Sequence, residues 1–162
     1  MDADRLAAIP IFAELPPEEL AAVAGFADEV DVRSGGSVVS EGDFGHAIFA
    51  VESGTAEVII DGVHVGHVGP GDVVGEIAVL ASGRRTATVT ATSPMHLITF
   101  FKRDVWALER RAPEAARRLR HLLEERAGGR TTRRPRPSFR TTPRADDPHG
   151  LRETRSAGPE PR

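Results

Sequence analysis

A chain of 162 residues with 40% hydrophobic content has enough apolar material for one core of ordinary size. It contains no cysteine, which excludes a disulfide framework and thiolate ligation of a metal. The formal net charge of −3 hides an asymmetry: residues 1–126 hold 12 basic and 20 acidic side chains, whereas residues 127–162 hold 9 arginines and 4 acids. No apolar run approaches bilayer-spanning length, and the first residues lack a signal-peptide pattern, so a soluble, cytoplasmic protein without membrane contact is expected.

Asp4 to Ala8 reads as a short helix stopped by Pro10, followed by an apolar turn at Ile11, Phe12 and Leu15. Pro17-Glu18-Glu19 opens a second helix, with proline and acids where a helix N-terminus favours them, and that helix ends near Gly25. From Ala27 to Phe101 the apolar period changes to two. Strands are expected at Glu29–Arg33, Val38–Ser40, Ala47–Glu52, Ala56–Ile60, Val63–Val68, Arg85–Ala91 and His96–Phe101. Glycine-rich turn signals separate them, and Asp61-Gly62 between two apolar runs predicts a two-residue hairpin. Short strands at this spacing predict a mainly β fold, an antiparallel jelly roll with helices at both ends. Helical periodicity returns at Arg103–Arg111, where Trp106 and Leu108 are expected to pack. Pro113 opens a last helix running to about Arg126, with Gly128 placed to stop it. Residues 127–162, rich in Pro, Thr, Ser and Gly, are expected to form a disordered arginine-rich tail separate from the 1–126 domain.

The stretch from Gly71 to Val89 carries the chemistry. If the chain enters a helical turn at Gly75, the amides of Glu76, Ile77 and Ala78 have no partner within the turn and favour an anion. On the strand that follows, Arg85, Ala87, Val89 and Ala91 share one face, apolar except for the arginine. A charge on the inner face of a barrel is costly unless paired, and a phosphate would pair it. Glu76 would repel a phosphate directly but can accept from a neighbouring sugar hydroxyl. The alternatives are a buried Arg85–Glu76 salt bridge and a Glu76 that only caps a turn.

Gly75-Glu76-Ile77-Ala78-Val79-Leu80, then Arg85-Thr86-Ala87-Thr88-Val89, resembles the phosphate-binding cassette of cyclic nucleotide-binding domains. The run Glu41 to Gly54 and the run Val65 to Asp72 are also similar to that family, so the resemblance covers roughly residues 6–126. It implies that Arg85 binds the cyclic phosphate and Glu76 the ribose 2′-hydroxyl. It further implies that Gly75, Ile77, Ala78 and Ala87 line the ligand and that Thr86 reaches the phosphate or the base edge. Two positions depart from the family pattern: Val74, where phenylalanine is common, and His46, where an acid is frequent. Ala115, Leu119, Leu122 and Arg126 fall on one face of the last helix, which the resemblance makes a lid over the barrel with Arg126 against the base. The alternative for Arg126 is an ordinary cation at a helix C-terminus.

The six histidines raise the question of a metal site of the cupin type. His64 and His67 are three apart and should face opposite ways in a regular strand, so no metal or cofactor is expected. No nucleophile or paired-carboxylate arrangement supports an enzyme. Beyond Arg126 the chain lacks the periodicity of a DNA-reading helix, so sequence-specific DNA binding is not expected, although the basic tail can touch nucleic acid or an acidic partner nonspecifically. Ser138 in that tail is a candidate phosphorylation acceptor. The expected function is a stand-alone cyclic nucleotide-binding regulatory module that signals in trans to an unidentified protein by closure of the lid helix. cAMP is the first expected ligand and cGMP the second, and a homodimer is left open. The competing expectation is an adaptor that keeps the fold and binds no nucleotide.

Overall fold

The computed structural model describes residues 1–131; the tail beyond, with Ser138, lies outside the described residues. Helices α1 (Ala3–Ala7) and α2 (Pro17–Ala24) come first. Eight strands follow: β1 (Asp28–Val32), β2 (Ser37–Val39), β3 (Ala47–Ser53), β4 (Ala56–Ile60), β5 (Val63–Val68), β6 (Val73–Val74), β7 (Thr88–Ala91) and β8 (Met95–Phe101). A wide helical turn at Ala78–Ser82 separates β6 from β7, and α3 (Lys102–Arg111) and α4 (Pro113–Thr131) close the described chain.

The strands form two antiparallel sheets, ordered β1-β8-β3-β6 and β2-β7-β4-β5. Side chains from both sheets, among them Val39, Val51, Val68, Val89 and Leu97, fill the space between them. The other face of the first sheet, carrying Ile48, Ala50, Ile98 and Phe100, packs against all four helices. Leu97 and Ile98 are therefore both fully buried, one on each face of β8. The result is the expected antiparallel jelly roll with flanking helices. Its hairpin at Asp61-Gly62 has positive φ at both residues, 50° and 74°, as a tight right-twisting connection requires.

The structure departs from the sequence reading at several points. β7 begins at Thr88 rather than Arg85, because residues 83–85 leave the ladder to pair with the 42–45 loop. β6 is an additional two-residue strand beside β3, too short to show an alternation. α4 continues through Gly128 to Thr131, so two consecutive glycines do not end it. Trp106 is exposed, with Lys102 Nζ 5.5 Å from its ring centre, while Leu108 is buried as expected. His64 and His67 do not face opposite ways: their ring centres lie 4.6 Å apart. A bulge in β5 causes this. Val58 pairs with Gly66 but Ile59 pairs with His64, so Val65 is the extra residue and the alternation resets. Among the described residues, no three His, Cys, Asp or Glu side chains are placed to hold a metal ion.

Candidate functional site

Backbone geometry places the site. The 42–45 loop lies against residues 83–85: Gly42 N–H donates to the Arg85 carbonyl (2.9 Å), Arg85 N–H to the Asp43 carbonyl (2.7 Å) and Gly45 N–H to the Gly83 carbonyl (2.9 Å). This short two-stranded ribbon turns the Arg84 side chain outward, where its guanidinium sits 4.1 Å from the ring centre of exposed Phe44. The Arg85 side chain goes the other way, into the barrel, and only 8% of the residue is exposed.

Inside, the Arg85 guanidinium donates from Nη1 to the Gly75 carbonyl (3.2 Å) and from Nη2 to the Ala47 carbonyl (2.9 Å). It also lies 5.7 Å from the Phe49 ring centre. These bonds go to neutral oxygens, so the arginine's charge is hydrogen-bonded by main chain rather than cancelled there. Burial pushes its pKa down, while the charges of Asp43 and Glu76 pull it back up. Glu76 is itself 1% exposed. The structure thus buries a cation and an anion at the entrance to one helical turn.

Glycine is required at 75 by its backbone conformation, and a side chain there would also displace the Arg85 guanidinium. Its φ is +89°, and a Cβ built there would lie 2.2 Å from Arg85 Nη1. Gly45 is required by contact alone, since an added Cβ would come within 2.4 Å of the Ala78 Cβ. The turn that follows Gly75 is supported from below: Val79 is buried in the same apolar cluster as Leu6, Phe12 and Leu119 of the helices.

Gly75, Glu76 and Arg85 are accordingly brought together, with Ile77 and Ala78 in the adjoining turn. Thr86 is exposed and Ala87 half-buried just beyond the ribbon. Arg126 is held elsewhere. Its Nη2 donates to Asp72 Oδ1 (2.8 Å) and to the Gly71 carbonyl (3.1 Å), in the loop before β6. Ala115 and Leu119 are buried in the apolar cluster that the helices share with the outer face of the first sheet, and Arg118 pairs with Glu19 of α2 at 3.0 Å. A surface cleft of about 420 Å³ runs along α4, lined by residues including Arg117, Arg120 and His121, and includes none of the predicted site residues. Beside Gly75 the nearest side-chain group is the Arg85 guanidinium.

Sequence reading missed Asp43, Gly45 and the Ala47 carbonyl. The turn at Glu41-Gly42-Asp43 was legible, but its pairing with residues 83–85 spans some forty positions and leaves no local pattern.

Residues 29–111 match the family model of the cyclic nucleotide-binding domain. A cAMP-dependent protein kinase regulatory subunit from Yarrowia lipolytica is 37% identical over 100 residues, covering 62% of this chain and 24% of that protein. The cyclic AMP receptor protein of Thermus thermophilus is 32% identical over 124 residues, covering 72% of this chain and 56% of that protein. The chain therefore spans between about a quarter and just over half of the length of these relatives. A cyclic nucleotide-binding domain from Methylobacillus flagellatus superposes with a TM-score of 0.74 at 17% identity, over 80% of this chain and 79% of that one, and so shares the fold. The matched model covers half of the chain and includes the buried arginine, the glycine beneath it and the helical turn, and the protein belongs to the cyclic nucleotide-binding domain family.

Proposed function

We propose that this chain senses cAMP through Gly75, Glu76, Ile77, Ala78, Arg85, Thr86 and Ala87, and passes the signal to a partner protein in trans. The observation that carries the reading is the buried Arg85 guanidinium, hydrogen-bonded to the neutral Gly75 and Ala47 carbonyls, beside a buried carboxylate at the start of a helical turn. An equatorial phosphate oxygen meeting Nη1 and Nη2 would exchange two neutral acceptors for a charged one, a stronger hydrogen bond. Glu76 would then accept from the ribose 2′-hydroxyl on the adjoining side. The naming of both relatives for cyclic AMP supports cAMP over cGMP.

Output in this reading is a population shift. The turn that takes the phosphate rests on the cluster that also seats α4, through Val79 and Leu119. Arg85 moving off the Gly75 carbonyl alters that turn, and α4 re-seats. Release of Arg126 from Asp72 would free it to approach the base. The proposed module regulates rather than catalyses.

A second reading is an adaptor that retains the fold without binding. It is favoured by one fact: the Arg85 guanidinium already has main-chain partners, at the Gly75 and Ala47 carbonyls. Thermal unfolding with cAMP, cGMP and 5′-AMP separates the two. A sensor is stabilised by a cyclic nucleotide in a concentration-dependent way, by about 2.7 kcal/mol at one hundred times the dissociation constant. A melting temperature unmoved by millimolar amounts of all three selects the adaptor.

A further inference from the structure

On the far side of the first sheet from the candidate site, five charged or titratable side chains from four elements meet. Arg5 of α1 forks onto Glu52 of β3, Nε to Oε1 at 3.0 Å and Nη2 to Oε2 at 2.7 Å. The same guanidinium reaches Glu29 of β1, Nη1 to Oε1 at 2.9 Å and Nη2 to Oε2 at 3.3 Å. His96 of β8 stands between them. Its Nδ1 is 2.6 Å from Asp31 Oδ1 of β1, and its Nε2 is 2.9 Å from Glu29 Oε2 and 3.4 Å from Glu52 Oε2. We propose that Arg5, Glu29, Asp31, Glu52 and His96 form a proton-controlled clasp that fastens helix α1 and the edge strand β1 to the body of the sheet.

The geometry carries this. A neutral imidazole has one N–H and one lone pair. Here both ring nitrogens face carboxylate oxygens, so each contact is a hydrogen bond only if the ring is doubly protonated. The competing arrangement is a neutral ring with N–H at Nδ1 and Nε2 accepting from Arg5 Nη2, which lies 3.3 Å away. That arrangement points the Nε2 lone pair at Glu29 Oε2 at a shorter distance than the guanidinium. Charge counting agrees: three carboxylates against one guanidinium leave −2, and the imidazolium brings the cluster to −1. The His96 pKa is raised, first by the bond to Asp31, and those of Glu29 and Glu52 are lowered, first by Arg5.

The clasp matters because the pieces it joins are weak alone. α1 has five residues, far too few to hold a helix in isolation, and β1 pairs on one side only. When the proton leaves His96, the Nε2 lone pair repels the Glu29 carboxylate that Arg5 also grips. Arg5 then keeps Glu52, and its hold on Glu29 of β1 weakens.

Side-chain ¹⁵N spectra of the full chain across pH test the protonation. The expected result is an imidazolium pattern for His96 at neutral pH, with a midpoint above that of the same residue in the urea-unfolded chain. A midpoint equal to the unfolded one, or the neutral Nδ1–H pattern, overturns the proposal. Hydrogen exchange at the Leu6 and Ile9 amides, corrected for intrinsic rates, tests the fastening. Protection should fall by about threefold or more across the His96 midpoint in the wild type and show no such step in His96→Gln, on the scale of one exposed pair. The same step in both proteins overturns it.

Discussion

Arg85 is the residue on which the proposed function turns. Its side chain is buried by a local switch in direction: Arg84 and Arg85 lie on opposite faces of the ribbon formed with the 42–45 loop, so adjacent arginines have unrelated roles. Arg84 meets Phe44 and the Gly42 carbonyl at the surface. Arg85 meets main chain inside. Removing it by Arg85→Ala should weaken cAMP binding by about 10- to 150-fold, the equivalent of a charge-assisted contact of about 1.5–3 kcal/mol. Calorimetry on the two proteins gives the ratio, and equal affinities would show that Arg85 does not hold the phosphate. The substitution also frees the Gly75 and Ala47 carbonyls, so the melting temperatures of both proteins belong beside the binding data.

Strand β8 is the element that joins the two cores. It pairs with β1 and β3, and its side chains alternate between the helices and the second sheet. One of its buried positions is polar: Thr99 is 1% exposed, and its hydroxyl has no hydrogen-bond partner among the described residues. A buried hydroxyl without a partner costs about 1–3 kcal/mol in lost solvation. Thr99→Val keeps the branched shape and removes that cost, so it should raise the melting temperature. Denaturant titration should show a higher midpoint with an unchanged slope. A loss of stability would mean that the hydroxyl is satisfied in solution. β8 also shows how tertiary position overrides pattern. Its run Leu97-Ile98-Thr99-Phe100 is nearly continuous in apolar character because both faces are covered.

At the scale of the whole molecule, the charged cluster on the first sheet sets how stability follows pH. His96 has a folded pKa raised above its unfolded value. Its contribution is complete below the unfolded value and is lost as pH rises through the folded one. Glu29 and Glu52 have folded values below their unfolded ones. Their contributions are complete above the unfolded values and are lost as pH falls through the folded ones. The melting temperature should therefore be highest between the carboxylate and histidine ranges and fall on both sides. In His96→Gln the alkaline decline through the histidine range should vanish while the acid decline remains. A wild-type profile flat from the histidine range upward would show that His96 contributes nothing to the folded state.

Much of this protein was legible in its residues. Period-two alternation, paired turn signals and Asp61-Gly62 determined the jelly roll, because those signals act between near neighbours along the chain. Gly75, Glu76 and Arg85 stand out in the sequence for the same reason: they fall within eleven consecutive positions. Tertiary structure decided the rest. Where Arg85 points depends on a loop some forty residues away, and where Arg126 rests depends on Asp72 more than fifty residues away. His64 and His67 share a face only because Val65 bulges out of register with β4. The meeting of Glu29, Glu52 and His96 follows from strand order, and that of Arg5 with them from where α1 packs on the sheet. Contacts of this kind depend on which backbones end up side by side, and no periodicity within one segment encodes that.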